Sequence, residues 1–235
     1  MLKLENINTG YGKKQILHNI WLEVKKGDII LLVGSNGSGK TTLFKTIYRQ
    51  LRLWKDKNDK HGRIIFDNVD ITNLSSHELI KKDLLYIPQK NELFDSMNVF
   101  QNLELCLYHQ KLEKKEIQRK IDSAYEDLPM LKEIQKQSVI NLSGGERKLL
   151  SWGMVLVNTP KMLLYDEPLS GLCQTNEKIA LDMIRKLKEK KITTILIEHR
   201  IKDLLDISSQ RVGLSLGCRH TGDLNSIDDI KRFIV

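Results

Sequence analysis

Long hydrophobic runs are missing from this 235-residue sequence. No apolar stretch reaches the roughly 18 residues that a membrane-spanning helix needs, and the first residues, MLKLENINTG, lack the apolar core of a secretory signal. The content of 40% hydrophobic and 29% charged residues is that of an ordinary globular protein. These features argue against a membrane-spanning helix and predict one compact unit that folds in the cytoplasm.

Cysteine is scarce, and the three cysteines form no C-x-x-C pair, so that neither a zinc site nor a disulfide framework is indicated. The net charge of +8 suits nucleic acid, an anionic membrane surface or simply a well-solvated surface. Because the basic residues are scattered and no aromatic-basic recognition motif accompanies them, we expect no nucleic-acid partner.

Strand and helix signals alternate along most of the chain. The first thirty residues predict short strands and turns, and an apolar strand at 29–33 leads through a glycine-rich loop into a helix at 40–48. Further strands are predicted at 63–66, 84–87, 161–165, 192–197 and 211–216, and a further helix at 176–190. This alternation is typical of an α/β fold with a mostly parallel sheet, into which the helical pattern between about 98 and 155 is inserted.

The loop after the first apolar strand reads GSNGSGKTT and fits the phosphate-loop pattern G-x-x-x-x-G-K-[ST]. Its glycines let successive backbone N–H groups surround phosphate oxygens, the lysine adds a positive charge, and the first threonine supplies a hydroxyl to Mg²⁺. The flanking strand and helix make a chance glycine-rich turn a poor explanation. The predicted nucleotide site consists of Gly34, Ser35, Asn36, Gly37, Ser38, Gly39, Lys40, Thr41 and Thr42.

Two adjacent carboxylates end the apolar segment KMLLYDEP at 161–168. Neighbouring side chains on a strand point to opposite faces, so Asp166 and Glu167 are able to take different tasks. We expect Asp166 to hold Mg²⁺ through water and Glu167 to polarise the water that attacks the phosphate. In isolation the pair would be interpreted as a solvated strand end, but the phosphate loop favours the catalytic interpretation.

A second glycine-rich segment, NLSGGERK at 141–148, also opens onto a predicted helix. Unpaired N–H groups at a helix start form an anion site, which raises the question of what this second loop binds. The motifs occur in the order phosphate loop, Gln89 in YIPQK, LSGGE, LLYDEP, and His199 in ILIEHR. Over essentially the whole chain this order resembles that of the ATP-binding-cassette (ABC) ATPases.

The resemblance implies a P-loop NTPase (RecA-like) core with a mostly parallel sheet, an N-terminal antiparallel β subdomain and an inserted helical subdomain. It implies a single ABC ATPase domain over residues 1–235, with the core at about 1–88 and 156–235 and the helical subdomain at about 89–155. In this family two ATPase domains pair head to tail around two ATP molecules. Ser143 and Gly145, with Gly144 between them, would then contact the γ-phosphate of the ATP bound by the partner.

Three further residues receive roles from the resemblance. Tyr11 stands where the family stacks an aromatic ring on adenine, with a turn or packing role as the alternative. Gln89 is expected to reach Mg²⁺ and the attacking water while sensing the membrane subunit, and His199 is expected to contact the γ-phosphate. The residues after Gln89 either receive a helix of the transmembrane subunit or belong to the local core; they are Leu93, Phe94, Met97 and Val99.

One position departs from the family pattern, since SGLC at 170–173 ends in Cys173 where aspartate is frequent, which puts communication between the two sites in doubt. Several stretches, among them YGKKQILHNIWLEVKKGDIILLVGSNGSGKTTL and the terminal DDIKRFIV, resemble the ATP-binding subunits of branched-chain amino acid importers and the related lipopolysaccharide-export ATPase.

The resemblance also implies partners and a location. We expect transmembrane permease subunits and a second ATPase subunit, in a homodimer or a heterodimer, on the cytoplasmic face of a membrane. The main alternative is a soluble ABC ATPase acting in translation or DNA repair, but such relatives usually carry two cassettes or long insertions, which this sequence lacks.

Overall fold

Two β-sheets and a set of helices make up the part of the chain that this computed structural model describes, namely residues 1–90, 93–220, 224 and 226–234. The strands are β1 (Leu2–Tyr11), β2 (Lys14–Val24), β3 (Ile29–Val33), β4 (Arg63–Phe66), β5 (Val69–Asp70), β6 (Leu84–Ile87), β7 (Met162–Asp166), β8 (Thr193–Ile197), β9 (Gln210–Ser215) and β10 (Cys218–Arg219). The helices are α1 (Lys40–Ile47), α2 (Ser76–Ile80), α3 (Val99–Cys106), α4 (Lys114–Asp127), α5 (Pro129–Glu133), α6 (Gly144–Asn158), α7 (Gln174–Glu189) and α8 (Ile227–Ile234). Within these ranges no helix combines the length and the apolar character that crossing a membrane requires.

The larger sheet has the strand order β10-β9-β3-β8-β7-β6. Its neighbouring strands are parallel from β9 to β6, and β10 pairs with β9 in the antiparallel sense. Strands β3, β7 and β8 are buried along their whole length, which explains their nearly continuous apolar sequences. The predicted α/β fold with a mostly parallel sheet is confirmed. Because the carboxyl ends of parallel strands lie at one edge, the segments that follow β3, β6, β7 and β8 meet there.

The smaller sheet is antiparallel, with the order β2-β1-β4-β5, as the resemblance implied for the N-terminal region. Strands β1 and β2 are 10 and 11 residues long, so the short strands predicted for the first thirty residues were wrong in length. The pairing shifts register between Leu4 and Ile7 and twice more before Gly10. Each such bulge breaks the alternation of apolar and polar residues that identifies a strand in a sequence.

Helices α3 to α6 lie between β6 and β7, where the sequence predicted a helical insertion. Trp152 of α6 contacts the ring of Tyr165 in β7, with ring centroids 4.9 Å apart. Gly153 allows α3 and α5 to approach α6 closely, because an added Cβ would lie 2.8 Å from the Leu131 side chain and 3.1 Å from that of Leu103. This packing holds α6, and the LSGGE segment at its start, against β7. Of the terminal DDIKRFIV segment, Val235 lies outside the described residues.

Candidate active site

The loop between β3 and α1 presents backbone N–H groups to an incoming anion. Helix α1 starts after Gly39, which has a φ of 103° and offers no side-chain cap. Gly37 has a φ of 80°, and a Cβ added there would meet nothing within 4 Å. Because the first N–H groups of a helix have no intrahelical acceptor, this open loop is suited to bind phosphate.

Lys40 lies inside the loop and is only 7% exposed. Its Nζ donates to the carbonyl oxygens of Gly34 at 2.8 Å and Ser35 at 2.9 Å. Burial lowers the pKa of the Lys40 ammonium, while the nearby carboxylates of Asp166 and Glu167 oppose that shift. The ammonium is therefore held where the loop would receive phosphate oxygens.

Asp166 ends β7 beside the phosphate loop and is 1% exposed. Its Oδ2 accepts a hydrogen bond of 2.7 Å from the hydroxyl of Thr41. Burial raises the pKa of the Asp166 carboxyl, and the Thr41 hydrogen bond and the charge of Lys40 act against this rise. A hydroxyl and one carboxylate are hard oxygen ligands of the kind that Mg²⁺ uses together with phosphate oxygens and water. Among the described residues no group of three or more His, Cys, Asp or Glu side chains forms a metal site.

Glu167 follows β7 and contacts residues at or just after the ends of the neighbouring strands β6 and β8. Its backbone N–H donates to the carbonyl of Ile197 at the end of β8, at 2.9 Å. Its Oε2 accepts from Gln89 Nε2 at 2.7 Å, and its Oε1 lies 3.4 Å from Nε2 of His199. The three residues predicted as catalytic from the sequence are therefore brought together.

The reason given from the sequence for the different roles of Asp166 and Glu167 was incomplete. Glu167 lies beyond the strand and has a φ of 53°, in the left-handed region that non-glycine residues rarely adopt. The two side chains diverge because of this backbone turn in addition to strand alternation. Such turns store strain, which is common at functional sites.

Glu198 and Lys148 are buried charged residues at this site that the sequence analysis missed. The Glu198 carboxylate accepts backbone N–H groups of Leu169, His199 and Arg200, and burial raises its pKa. Lys148 reaches the site from α6. The only sequence signal for either residue is a charge next to an identified motif, in ILIEHR and in LSGGERK.

The LSGGE segment forms the start of α6. Ser143 is the N-cap, its hydroxyl lying 3.3 Å from the N–H of Glu146. The Glu146 carboxylate in turn accepts from the Ser143 N–H at 2.8 Å and from the Ser143 hydroxyl at 2.7 Å. A Cβ added to Gly144 would meet nothing within 4 Å. Within the described part of the chain, the Ser143 side chain bonds only to its own helix, and the phosphate loop does not contact it through any hydrogen bond.

Tyr11 ends β1 at the turn into β2 and is 45% exposed. Among the described residues its ring stacks on no other aromatic side chain. The partial exposure of Tyr11 is compatible with the predicted contact with adenine.

A cleft of about 560 Å³ runs from the catalytic residues to the helical region. It is lined by Thr41, Gln89 and Asp166 at one end and by Tyr48, Ile80, Leu93 and Met154 along its sides. The four residues after Gln89 differ in their surroundings, since Leu93 lines the cleft and also packs on the core, Phe94 is exposed and Val99 is fully buried. Met97 is partly buried.

Comparisons with known proteins agree with this geometry. Residues 17–170 match the sequence family described as ABC transporter. The chain is 32% identical to a probable branched-chain amino acid transport ATP-binding protein, LivF, of Archaeoglobus fulgidus, over 99% of this chain and 96% of the relative. It is 31% identical to the high-affinity branched-chain amino acid transport ATP-binding protein BraG of Pseudomonas aeruginosa, over 92% and 90% of the two chains.

Solved structures show the same fold. A nucleotide-free ATP-binding cassette from an ABC transporter superposes with a TM-score of 0.82 at 28% identity, covering 99% of this chain and 94% of the other. The ADP conformation of another ABC-transporter cassette gives a TM-score of 0.80 at 30% identity, covering 99% and 93%. The predicted P-loop NTPase fold with its antiparallel and helical parts is confirmed, and the chain belongs to the ABC transporter family of ATP-binding cassettes.

Proposed function

We propose that this chain is the ATP-binding and ATP-hydrolysing subunit of an ABC membrane transporter, and that it works as a dimer around two ATP molecules. The observation that carries the proposal is the meeting of distant motifs, Thr41 with Asp166 and Gln89 with Glu167, each at 2.7 Å. A hydroxyl, an amide and two carboxylates next to a phosphate loop are the groups that phosphoryl transfer to water requires. The similarity to transport ATP-binding proteins over nearly the whole chain supports it.

In this proposal the phosphates of ATP bind on the loop and the start of α1, and adenine stacks on the exposed ring of Tyr11. The phosphate ligands are Gly34, Ser35, Asn36, Gly37, Ser38, Gly39, Lys40, Thr41 and Thr42. Lys40 supplies its charge from inside the loop, and the burial that lowers its pKa also strengthens its attraction to phosphate.

Mg²⁺ is assigned to Thr41, Asp166 and Gln89. When bound, the ion neutralises charge on the phosphates during bond cleavage. Glu167 is the proposed general base for the attacking water. Gln89 and His199 each lie close to one of its two carboxylate oxygens, and both side chains are exposed, so that they would also reach a terminal phosphate.

Ser143, Gly144 and Gly145 are proposed to bind the γ-phosphate held by the partner subunit. The open space at Gly144 and the favourable dipole at the start of α6 support this role. The Ser143 hydroxyl, which now donates to Glu146, would have to turn toward the phosphate. Dimer closure would therefore replace the Ser143–Glu146 hydrogen bond within the helix by a hydrogen bond to phosphate across the interface.

We further propose that residues 1–88 and 156–235 act as the core and 89–155 as a helical subdomain. The cleft between them would receive a helix of a transmembrane permease subunit on the cytoplasmic face of the membrane. Its apolar sides and its continuity with Gln89 and Asp166 would let permease movement reach the catalytic groups. Branched-chain amino acid import is the favoured transport reaction because of the relatives LivF and BraG.

Phosphate release from ATP by the purified chain tests the enzymatic part of the proposal. We expect turnover with Mg²⁺, none with EDTA, and loss of turnover in Lys40→Ala but not in the matched control Lys115→Ala on the exposed surface of α4. Undiminished turnover in Lys40→Ala, or no Mg²⁺-dependent turnover in the wild type, would refute it.

The transport reaction needs a separate test. The chain is purified from its native membrane with its attached subunits and reconstituted in vesicles, and uptake of radiolabelled leucine is measured. Uptake that requires ATP supports amino acid import. Extraction of lipopolysaccharide without leucine uptake would instead favour export, as in the lipopolysaccharide-export ATPase that the sequence also resembles.

A further inference from the structure

Lys148 is a buried lysine that reaches the back of the active site. It lies in the second turn of α6, shortly after the LSGGE segment, and is 5% exposed. Its Nζ donates to the backbone carbonyl of Glu167 at 3.1 Å and to that of Gln89 at 3.4 Å. The two residues whose side chains meet at 2.7 Å are therefore also joined through their main chains by one ammonium group.

The charges around Lys148 explain why an ammonium is tolerated there. Burial lowers its pKa, and the carboxylates of Glu198, Glu167 and Asp166 act in the opposite direction. The ammonium also lies 5.7 Å from the ring centroid of Tyr165, within the range of a cation–π contact. The charge thus has compensating partners, as a buried cation requires.

The backbone conformation of Glu167 needs support from its surroundings, which Lys148 supplies. Glu167 holds a φ of 53°, which persists in a non-glycine residue only when the surroundings fix it. Its N–H is fixed by the carbonyl of Ile197, and its carbonyl is fixed by Lys148. Gln89 lies after β6 and is exposed, and Lys148 anchors its main-chain carbonyl to α6.

We propose that Lys148 is a positioning residue for ATP hydrolysis: by binding the carbonyls of Gln89 and Glu167 it keeps the Gln89 amide on the Glu167 carboxylate and links both to the helix that begins with Ser143. The proposal rests on the role of Glu167 proposed above. Lys148 acts in this proposal through the main chain of Gln89 and Glu167, so its loss changes the geometry of the general base.

Lys148→Met keeps most of the side-chain volume and removes the donor. We expect kcat to fall about 10- to 100-fold, the range that a small misplacement of a catalytic group produces, with the KM for ATP within about threefold of the wild type. Lys148→Arg retains charge and donors and should recover most of the lost kcat. The matched control is Lys120→Met, because Lys120 donates to the carbonyl of Val157 at the other end of the same helix α6.

Two measurements separate positioning from a general structural role. Combining Lys148→Met with Gln89→Ala should slow turnover little more than Gln89→Ala alone, because both changes act on one contact. Hydrogen exchange of the peptide containing 162–169 should be faster in Lys148→Met, since the Glu167 carbonyl loses its donor and the turn at Glu167 opens more often. Exchange in Lys120→Met should stay as in the wild type. If Lys148→Met does not fold, Lys148→Leu, which also lacks a donor, takes its place with the same expectations.

Multiplicative effects in the double mutant, unchanged exchange at 162–169, or a kcat like that of Lys120→Met would overturn the inference. The proposed function would stand in those cases as long as the wild type hydrolyses ATP and Lys40→Ala does not. Absence of hydrolysis by the wild type would instead refute the function itself.

Discussion

The two glycine-rich loops of this protein both open a helix, yet they differ in what surrounds them. The loop before α1 has no side-chain cap and holds Lys40 inside it, with Asp166 bonded to Thr41 at its edge. The loop before α6 is capped by Ser143 and has its own carboxylate, Glu146, bonded to that cap. The first loop is surrounded by ligands from the same chain, whereas the Ser143 side chain of the second bonds, among the described residues, only to its own helix.

One chain therefore assembles most of the site around the first loop but not around the second. A phosphate on the first loop would find a cation, amide donors and a hydroxyl already in place. At the second loop the helix dipole attracts an anion, but Glu146 repels it and occupies the Ser143 hydroxyl. A ligand must therefore compete with the cap, which suits a contact made only when a second subunit brings a bound nucleotide.

The largest expected effect on kcat comes from Glu167, in the part of the site that one chain assembles by itself. Glu167→Gln removes the general base and should lower kcat by about 10²- to 10⁴-fold. ATP affinity should remain close to that of the wild type, because the phosphate loop is untouched, and an ATP-bound dimer should accumulate on gel filtration. Glu126→Gln, an exposed change on α4, is the control for kcat. Normal turnover by Glu167→Gln would remove Glu167 from the base role.

The second loop is tested by Ser143→Arg. The bulky cation should block dimer closure and lower turnover by about 10²- to 10³-fold, the usual result of losing a donor to the reacting group. Each monomer should still bind ATP with unchanged affinity in a fluorescence titration, and Ser123→Arg on the exposed face of α4 should behave as the wild type. If the Ser143→Arg monomer no longer binds ATP, then Ser143 belongs to the site of its own chain.

Tyr11 adds a base contact to the first loop, and its loss should have an intermediate effect. Stacking on a base is worth about 1–3 kcal/mol, so Tyr11→Ala should weaken ATP binding by about 5- to 150-fold. The affinity for inorganic triphosphate should not change, because it has no base, and Tyr11→Phe should bind ATP normally. Equal losses for ATP and triphosphate would point to a packing role for Tyr11.

The smallest expected effect is on stability and concerns Cys173 at the start of α7. Cys173 is the N-cap of α7 and makes no side-chain hydrogen bond there, in contrast to Ser143 at α6. Cys173→Asp should stabilise the fold by about 1 kcal/mol and raise the melting temperature by about 2–4 °C, measured by circular dichroism. Cys173→Ala should give no such gain. A lower melting temperature in Cys173→Asp would show that an added charge at this position is unfavourable.

The sequence predicted the parts of the fold and the site that depend on local pattern. The strands β3, β6 and β7 and the placement of Asp166 follow from apolar runs that end at polar residues. The lengths of β1 and β2 did not follow, because bulges hide the alternation. The left-handed backbone at Glu167 and the hydrogen bond from Lys148 to Glu167 were not predicted. Both depend on contacts between residues far apart in the sequence, which local sequence patterns do not reveal.

We expect that neither chain of the dimer has a complete reaction centre on its own. The most direct test of this expectation is the ATP turnover per protein chain over a wide range of protein concentration, with the dimer fraction measured by light scattering in the same samples. We expect turnover per chain to rise in proportion to the dimer fraction and to approach zero for the monomer. A monodisperse monomer that hydrolyses ATP at the full rate would contradict the account.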